Sequence, residues 1–299
     1  MSTTTSSNLN LKTAPGHEVL AKAGKTVLRP GGLEATRQLL DWADFQPGET
    51  VLELAASFGK SAIGLARRYG VRVVGIERNP DSVRIARENI RQAGLEGQVE
   101  VREGNILNLA DISETFDYVF AEAILTMQSA SGKAKILEGI QKVLKPQGKF
   151  LSHEMLGLGD GKMSDHALSE VIRLTLPSLK AWGFSLLRES LESTELNPDT
   201  FPDLKTHDFW VNAQPLSSAE WQQACEKAGL TIKQSKTGEV GLLTPKRVIE
   251  DEGLLPALKI AWNVLTQAEI RQRVLQMKNT FTQYQYQLGY IALCASKEE

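Results

Sequence analysis

The feature that most constrains the fold of this chain is an alternation of short apolar runs with amphipathic segments. In the intervening segments, apolar residues recur at helical spacing, and the connections are short. This alternation predicts an α/β fold in which helices cover both faces of a parallel sheet. The apolar runs are typical of strands buried on both faces, and they cover residues 50–54, 71–76, 99–102, 116–121 and 149–153.

After residue 154 this alternation of apolar runs and amphipathic segments changes. We expect a loop over 155–161, then irregular and helical structure that includes a helix over 166–182. A capped helix should begin at Ser217 and end at Gly229. Two more strands, with a mostly helical segment between them, complete the expected order: a strand over 231–243, helices over 245–277 and a strand over 283–295.

Charge and cysteine content restrict the class of protein. A net charge of −2 and a pI near 6.2 argue against nucleic-acid substrates. The two cysteines, Cys225 and Cys294, suggest neither a disulfide framework nor a zinc site, so we expect a cytoplasmic protein without a metal. The polar beginning of the chain predicts a flexible N-terminal arm over 1–30 instead of a signal peptide. No apolar run is long enough to predict a transmembrane span.

Acidic and small residues lie where the first two predicted strands end, which is where α/β sheets bind ligands. Glu53 ends the first strand, and Ala55, Ser57 and Gly59 form a turn of small residues that a ligand could approach closely. Glu77 ends the second strand, where a carboxylate can accept hydrogen bonds from both hydroxyls of a ribose. These residues predict a nucleoside site.

The next two strand ends continue the pattern. Asn105 follows the third strand, and its amide suits the edge of an adenine, although Asn is also common in turns for its own hydrogen bonding. Arg78 could border the adenine or could be a solvated arginine. Glu122 ends the fourth strand. His153 ends the fifth strand and could remove a proton from an acceptor, or could instead be hydrogen-bonded to the backbone.

Five segments in this order resemble the successive motifs of class I S-adenosylmethionine-dependent methyltransferases acting on small molecules: VLELAASFGKSAIGLA, VVGIERNP, EGNI, FDYVFAEA and LKPQGKF. The resemblance covers residues 31–154. It implies a doubly wound, mainly parallel seven-stranded sheet whose last strand is antiparallel, with helical cap insertions. The corresponding division is a core over 31–155, a helical cap over 156–215, and a C-terminal part over 216–299 with a second helical insertion at 245–280.

The same resemblance implies roles for the residues at the strand ends. S-adenosylmethionine would be the cofactor, and Glu122 would face either its methionine part or the acceptor. His153 and Glu122 are the candidate catalytic residues. Three positions depart from the family pattern, because Ala55 and Ser57 replace the usual glycines, and Asn105 replaces an acid. The expected cofactor contacts are Glu53, Ala55, Ser57, Gly59, Glu77, Arg78, Asn105, Ile106 and Glu122.

The residue types of the first turn bear on cofactor binding. Ala and Ser are small enough to preserve the turn if it avoids positive φ, but a weakened site remains an alternative. The acceptor is expected to be a small, partly apolar molecule bearing an oxygen, nitrogen or carbon nucleophile. An apolar pocket for it could be lined by aromatic residues, which in amphipathic helices are more often part of the core: Trp182, Phe184, Phe209, Trp210, Trp221, Trp262 and Phe281.

Two other classes of protein remain as alternatives. A nicotinamide-dependent oxidoreductase would share the sheet and the acid at Glu77, but it should carry G-x-G-x-x-G directly after the first strand, and here those glycines are absent. A non-catalytic protein that binds S-adenosylmethionine would differ only in failing to transfer a methyl group.

Overall fold

A seven-stranded sheet forms the centre of the molecule. The computed structural model describes residues 11, 16–25, 30–158, 215–241 and 243–298. The strand order is β3-β2-β1-β4-β5-β7-β6, and β7 is antiparallel to both of its neighbours. The prediction of a mainly parallel sheet with an antiparallel last strand is confirmed. The strands are β1 (Thr50–Leu54), β2 (Arg72–Glu77), β3 (Val99–Glu103), β4 (Phe116–Glu122), β5 (Leu144–Gly157), β6 (Leu230–Glu239) and β7 (Leu288–Lys297).

Helices pack on both faces of this sheet, and a 3₁₀ helix over Ile106–Asp111 follows β3. One hydrophobic cluster lies on the face covered by α5 and α6, and another lies on the face covered by α2, α3 and α4. The helices are α1 (Gly16–Ala23), α2 (Gly32–Ala43), α3 (Lys60–Tyr69), α4 (Pro80–Ala93), α5 (Ala130–Val143), α6 (Ser218–Lys227), α7 (Pro245–Glu252), α8 (Leu254–Thr266) and α9 (Ala268–Gln283). None of the described helices is long and apolar enough to cross a membrane.

The helix ends follow from local chemistry. The Asn79 side chain accepts hydrogen bonds from two backbone N–H groups in the first turn of α4, and Gly94 ends that helix at φ 66°. Ser217 and Glu220 form a reciprocal capping box at the start of α6. The second cap confirms the predicted helix start at Ser217.

Strand boundaries differ from the prediction in β5, β6 and β7. Strand β5 begins at Leu144 instead of 149, and β6 ends at Glu239 instead of 243. The expected loop over 155–161 is wrong at its start, because β5 continues to Gly157 by pairing with β7 from Lys149–Ser296 to Gly157–Leu288. The last strand begins at Leu288 instead of 283, since α9 continues to Gln283. Partner strands, which the local sequence does not reveal, set the end of β5 and the start of β7.

The predicted N-terminal arm contains a packed helix. In α1, Val19 and Leu20 are buried in a cluster with residues of α8 and α9. Lys25, which follows α1, is 2% exposed and forms ion pairs with Asp251 and Glu252 of α7. The expectation of a flexible arm is therefore wrong for residues 16–25. The residues from α1 and α7 to α9 form a helical layer, which we call the cap layer.

Part of the predicted helical cap lies outside the described residues. This part covers 159–214 and includes the helix expected over 166–182. It also contains four aromatic residues that were predicted for the acceptor pocket, which are Trp182, Phe184, Phe209 and Trp210.

The buried ion pair at Lys25 yields a stability prediction. Asp251→Ala should lower the free energy of unfolding by about 3 kcal/mol, because it leaves a buried ammonium without its nearest carboxylate. The Asp251 carboxylate also accepts a hydrogen bond from the Leu33 backbone N–H at 2.8 Å. Urea unfolding measures the change. The matched control is Glu250→Ala on the same helix, where the Lys246–Glu250 pair is exposed and the change should stay within about 0.5 kcal/mol. Equal effects of the two variants would contradict the assignment.

Candidate active site

Four of the predicted site residues share one face of the sheet at its carboxyl edge. Glu122 of β4 and His153 of β5 are partners in the parallel register, and Glu53 of β1 pairs with Gly75, two residues before Glu77 in β2. Because side chains alternate along a strand, these residues lie on the face covered by α2 and α3. Residues two or more positions earlier in the same strands belong to the hydrophobic cluster on that face: Val51, Val73, Tyr118, Phe120 and Leu151.

The loop after β1 adopts a left-handed conformation at three positions. The φ angles are 57° at Ala55, 49° at Ser57 and 72° at Gly59. The loop also crosses β2 closely, since a Cβ added at Gly75 would lie 2.6 Å from the Cβ of Ala56. The condition under which Ala and Ser would preserve the turn without strain, the absence of positive φ, is therefore not met. Ala55 and Ser57 adopt the backbone conformation that glycine provides without strain.

The Glu77 carboxylate holds this loop in place. Its two oxygens accept hydrogen bonds from the backbone N–H groups of Ser57 and Asn79, each at 2.8 Å, and Glu77 is 1% exposed. Both donors belong to loops that border the carboxyl edge. A carboxylate offers about four acceptor positions, so these two bonds leave capacity for further donors such as ribose hydroxyls.

The remaining predicted cofactor residues differ in what they can offer. The Asn105 side-chain oxygen accepts a hydrogen bond from the Leu107 backbone N–H at 2.9 Å and caps the 3₁₀ helix. The side-chain oxygen of Asn105 is therefore used within the turn, and the NH₂ group of the same amide is the part suited to an adenine. Ile106 is buried in the hydrophobic core, and Arg78 is half-buried directly after Glu77.

A cavity of about 200 Å³ lies beside Glu122, between α2 and α3. Thr36 and Ser61 contribute hydroxyl groups, Arg68 contributes a guanidinium, and Phe120 contributes an apolar surface. The Thr36 hydroxyl donates a 2.6 Å hydrogen bond to Glu122 Oε1. The cavity thus combines one carboxylate with one guanidinium. Strand ends do not point to Thr36, Ser61 or Arg68, because these residues lie within α2 and α3.

His153 does not have the geometry of a general base. The side chain is fully buried, and its Nε2 accepts a 2.9 Å hydrogen bond from the backbone N–H of Gly31. The lone pair that would take a proton is therefore already in use. The structure supports the alternative that His153 is bonded to the backbone. The prediction that it removes a proton from the acceptor is not supported.

On the opposite face of the same edge, a buried carboxylate orders the loop after β4. Glu154 accepts hydrogen bonds from the backbone N–H groups of Ile124, Leu125 and Thr126, and from the Thr126 hydroxyl at 2.6 Å. Burial raises the pKa of the Glu154 carboxyl, and the hydrogen bonds from Thr126 and Leu125 oppose this rise. Burial likewise lowers the pKa of nearby Lys133 to about 8. This cluster fixes the loop that borders the site.

The described aromatic residues do not assemble the predicted acceptor pocket. Trp221 is fully buried in the hydrophobic core, and Trp262 of α8 is 67% exposed. Phe281 packs within the cap layer. Amphipathic spacing places aromatics on a helix face, but the tertiary packing decides whether that face meets a site.

Comparison with known proteins identifies the class. The family described as "Methyltransferase domain" matches residues 45–229, which is more than half of the chain. An uncharacterized protein of Haemophilus influenzae is 32% identical over 282 residues, covering 94% of this chain and 98% of that protein. The glycine/sarcosine/dimethylglycine N-methyltransferase of Actinopolyspora halophila is 27% identical over 201 residues, and the match covers 67% of this chain and 33% of that enzyme.

Solved structures share the fold. Haemonchus contortus phosphoethanolamine N-methyltransferase 2, in complex with S-adenosyl-L-methionine, superposes with a TM-score of 0.61 at 15% identity, covering 94% of this chain and 56% of that one. The sheet and its edge are thus those of S-adenosylmethionine-dependent methyltransferases. This chain belongs to the methyltransferase domain family. The prediction of a class I methyltransferase with this cofactor is confirmed.

The left-handed loop after β1 yields a second stability prediction. Ala55→Gly and Ser57→Gly should each raise the free energy of unfolding by about 0.5–1 kcal/mol, since glycine removes the strain of positive φ but adds unfolded-state entropy. Ala56→Gly is the control. This residue lies between the two, does not have positive φ and is buried, so its substitution should destabilise the protein. Urea unfolding distinguishes the outcomes, and destabilisation by all three substitutions would contradict the prediction.

Proposed function

We propose that this methyltransferase binds S-adenosylmethionine along the carboxyl edge of β1, β2 and β4 and transfers its methyl group to the nitrogen of a small amine. The observation that carries this proposal is the pairing of two features at one edge: a buried carboxylate at the end of β2, and a cavity lined by both a carboxylate and a guanidinium. The first matches a ribose and the second matches a zwitterionic amino acid.

The residues present fit the two ends of the cofactor. Glu77 keeps acceptor capacity for ribose hydroxyls beyond its two backbone bonds. In the cavity, Glu122 is suited to the ammonium of the methionine part, while Ser61 and Arg68 are donors suited to its carboxylate. Ser61 also lies in the first turn of α3, where the helix dipole favours an anion.

The chemistry of methyl transfer determines what the cofactor supplies and what the protein residues do. When bound, S-adenosylmethionine supplies a methyl group already activated on a sulfonium. Glu77, Glu122 and the loop over 55–59 would bind and orient it, which makes the displacement effectively unimolecular. Glu154 would keep the loop after β4 in one position through its backbone hydrogen bonds. His153 takes no proton in this scheme.

An amine acceptor is the class that the relatives favour. The two named enzymes described above are both N-methyltransferases, and the one compared by sequence is matched over 67% of this chain. Carboxylates at the edge also attract an amine that arrives as a cation, which must release a proton to solvent before its nitrogen lone pair can attack the methyl group. The chain spans about a third of the sequence relative, so the acceptor of this chain is proposed by class and not by name.

We also propose that the protein works in the cytoplasm. Both cysteines are free and buried, and burial raises the pKa of the Cys225 thiol to about 12. Such thiols are stable in a reducing compartment.

Glu77 gives a direct test of the cofactor site. Glu77→Gln should weaken binding of S-adenosylmethionine by about tenfold to a hundredfold, since charge-assisted hydrogen bonds are worth about 1.5–3 kcal/mol. Isothermal titration calorimetry measures the affinity. The matched control is Glu103→Gln, because Glu103 is the register partner of Glu77 on β3 but is exposed. Unchanged affinity in the Glu77 variant would remove this residue from the site.

The reaction itself is tested with cofactor carrying a labelled methyl group and a panel of small amines, alcohols and phenols. Transfer to amine nitrogen is the expected result. Label appearing only on oxygen or carbon would overturn the amine assignment. Tight cofactor binding without transfer to any acceptor, in cell extract as well as in the panel, would show a non-catalytic binding protein.

A further inference from the structure

His153 occupies an unusual position for a buried histidine, between the start of α2 and the carboxylate at the end of β4. Its Nε2 accepts the Gly31 backbone N–H at 2.9 Å, and its Nδ1 lies 3.7 Å from Glu122 Oε1. Among the described residues, Nδ1 has no hydrogen-bond partner, and it is shielded from solvent. A buried ring nitrogen in this state points to a function in the site beside it.

The hydrogen bond from Gly31 determines where the proton of the imidazole lies. An N–H group can only donate, so Nε2 must present its lone pair. A neutral His153 therefore carries its proton on Nδ1, on the side of Glu122. A small movement of the Glu122 carboxylate would close the 3.7 Å gap to a hydrogen bond.

A neutral hydrogen-bond donor next to Glu122 leaves the negative charge of the carboxylate intact. A carboxylate binds an ammonium group through its full negative charge, and a neighbouring cation would cancel that charge. Neutral donors orient the carboxylate without neutralising it, and the Thr36 hydroxyl is a second such donor, at 2.6 Å. His153 and Thr36 thus approach Glu122 from β5 and α2.

We propose that His153 is a positioning residue, fixed by Gly31 as the neutral tautomer with the proton on Nδ1, which directs the charged carboxylate of Glu122 toward an ammonium group. The inference rests on the proposed function, in which that ammonium belongs to the methionine part of the cofactor. It assigns to the start of α2 a role in the site, since Gly31 sets the tautomer.

The surroundings of Gly31 support a fixed arrangement. Its carbonyl accepts a hydrogen bond from Arg247 of α7 at 3.1 Å, and a Cβ added at Gly31 would lie 2.7 Å from the Tyr290 ring. The Gly31 backbone is therefore held from three sides, by β5, β7 and the cap layer. A larger residue at this position would displace the N–H that sets the tautomer.

A protonated His153 would no longer orient Glu122 as a neutral donor. An imidazolium cannot accept the Gly31 N–H, and its charge would compensate that of Glu122. The other titratable groups around the ring are Tyr290 of β7, which packs edge-on at 5.6 Å, and Glu154, its neighbour on β5. Arg247 and Asp251 of α7 act on the backbone around Gly31.

The tautomer is tested on the wild-type protein by long-range ¹H–¹⁵N correlation spectroscopy of the imidazole rings. Four histidines are present, and comparison with His153→Gln identifies the signals of His153. The expected pattern is a protonated Nδ1 and an unprotonated Nε2 at neutral pH. A proton on Nε2, or a doubly protonated ring, would overturn the inference without bearing on whether the cofactor binds.

The effect on Glu122 is tested by calorimetry with two ligands. S-adenosylmethionine carries the ammonium, whereas 5′-methylthioadenosine keeps the nucleoside and lacks the amino-acid part. His153→Phe and Glu122→Gln should each weaken the first ligand by about tenfold and the second by less than about twofold. His153→Gln, whose side chain can accept from Gly31 and donate to Glu122, should recover most of the affinity.

The outcomes distinguish a failure of the positioning role of His153 from a failure of the proposed function. Equal weakening of both ligands, or full affinity of His153→Phe for S-adenosylmethionine, would overturn the positioning role. Thermal unfolding of each variant shows whether the protein is folded, and the spectrum of the wild type remains a test even where a variant is not. Failure of the wild type to bind either ligand would overturn the proposed function, and the inference about Glu122 with it.

Discussion

The in-register pairing of β1 with β2 and β4, and of β4 with β5, is the constraint on which the site depends. Parallel strands that end at a common edge bring their last residues together, and the alternation of side chains selects one face. Glu53, Glu77, Glu122 and His153 therefore meet on the face covered by α2 and α3. A shift of one residue in any of these pairings would move a carboxylate to the opposite face.

The two faces of this edge perform different tasks. On the face of α2 and α3, Glu77 accepts hydrogen bonds from loops, while Glu122 accepts one from Thr36 of α2 and borders the cavity. On the other face, Glu154 is fully enclosed and satisfied by the loop after β4. Burial costs a carboxylate its hydration, so each is stable only where backbone N–H groups or hydroxyls replace water. The rigid face thus supports the one that is available to a ligand.

Much of this arrangement could be predicted from the sequence, because strand ends in α/β proteins follow from apolar runs and turn residues. The loop conformation at Ala55 and Ser57 could not, since local propensity disfavours positive φ and contacts with β2 hold the loop, namely the close crossing over Gly75 and the hydrogen bond to Glu77. The role of His153 depends on Gly31, which is distant in sequence. The length of β5 and the packing of α1 likewise depend on partners elsewhere in the chain.

The packing of α1 against α9 affects the order in which the molecule can form during synthesis. The strands β1 to β5 are adjacent to one another in the sheet and all lie before residue 158, so this part of the sheet can pair before the C-terminal segments are made. Helix α1 is synthesised before α8 and α9, so Val19 and Leu20 gain their apolar partners only after those two helices have been made. Until then the apolar face of α1 has no packing partner in the cap layer, although the first five strands are already complete.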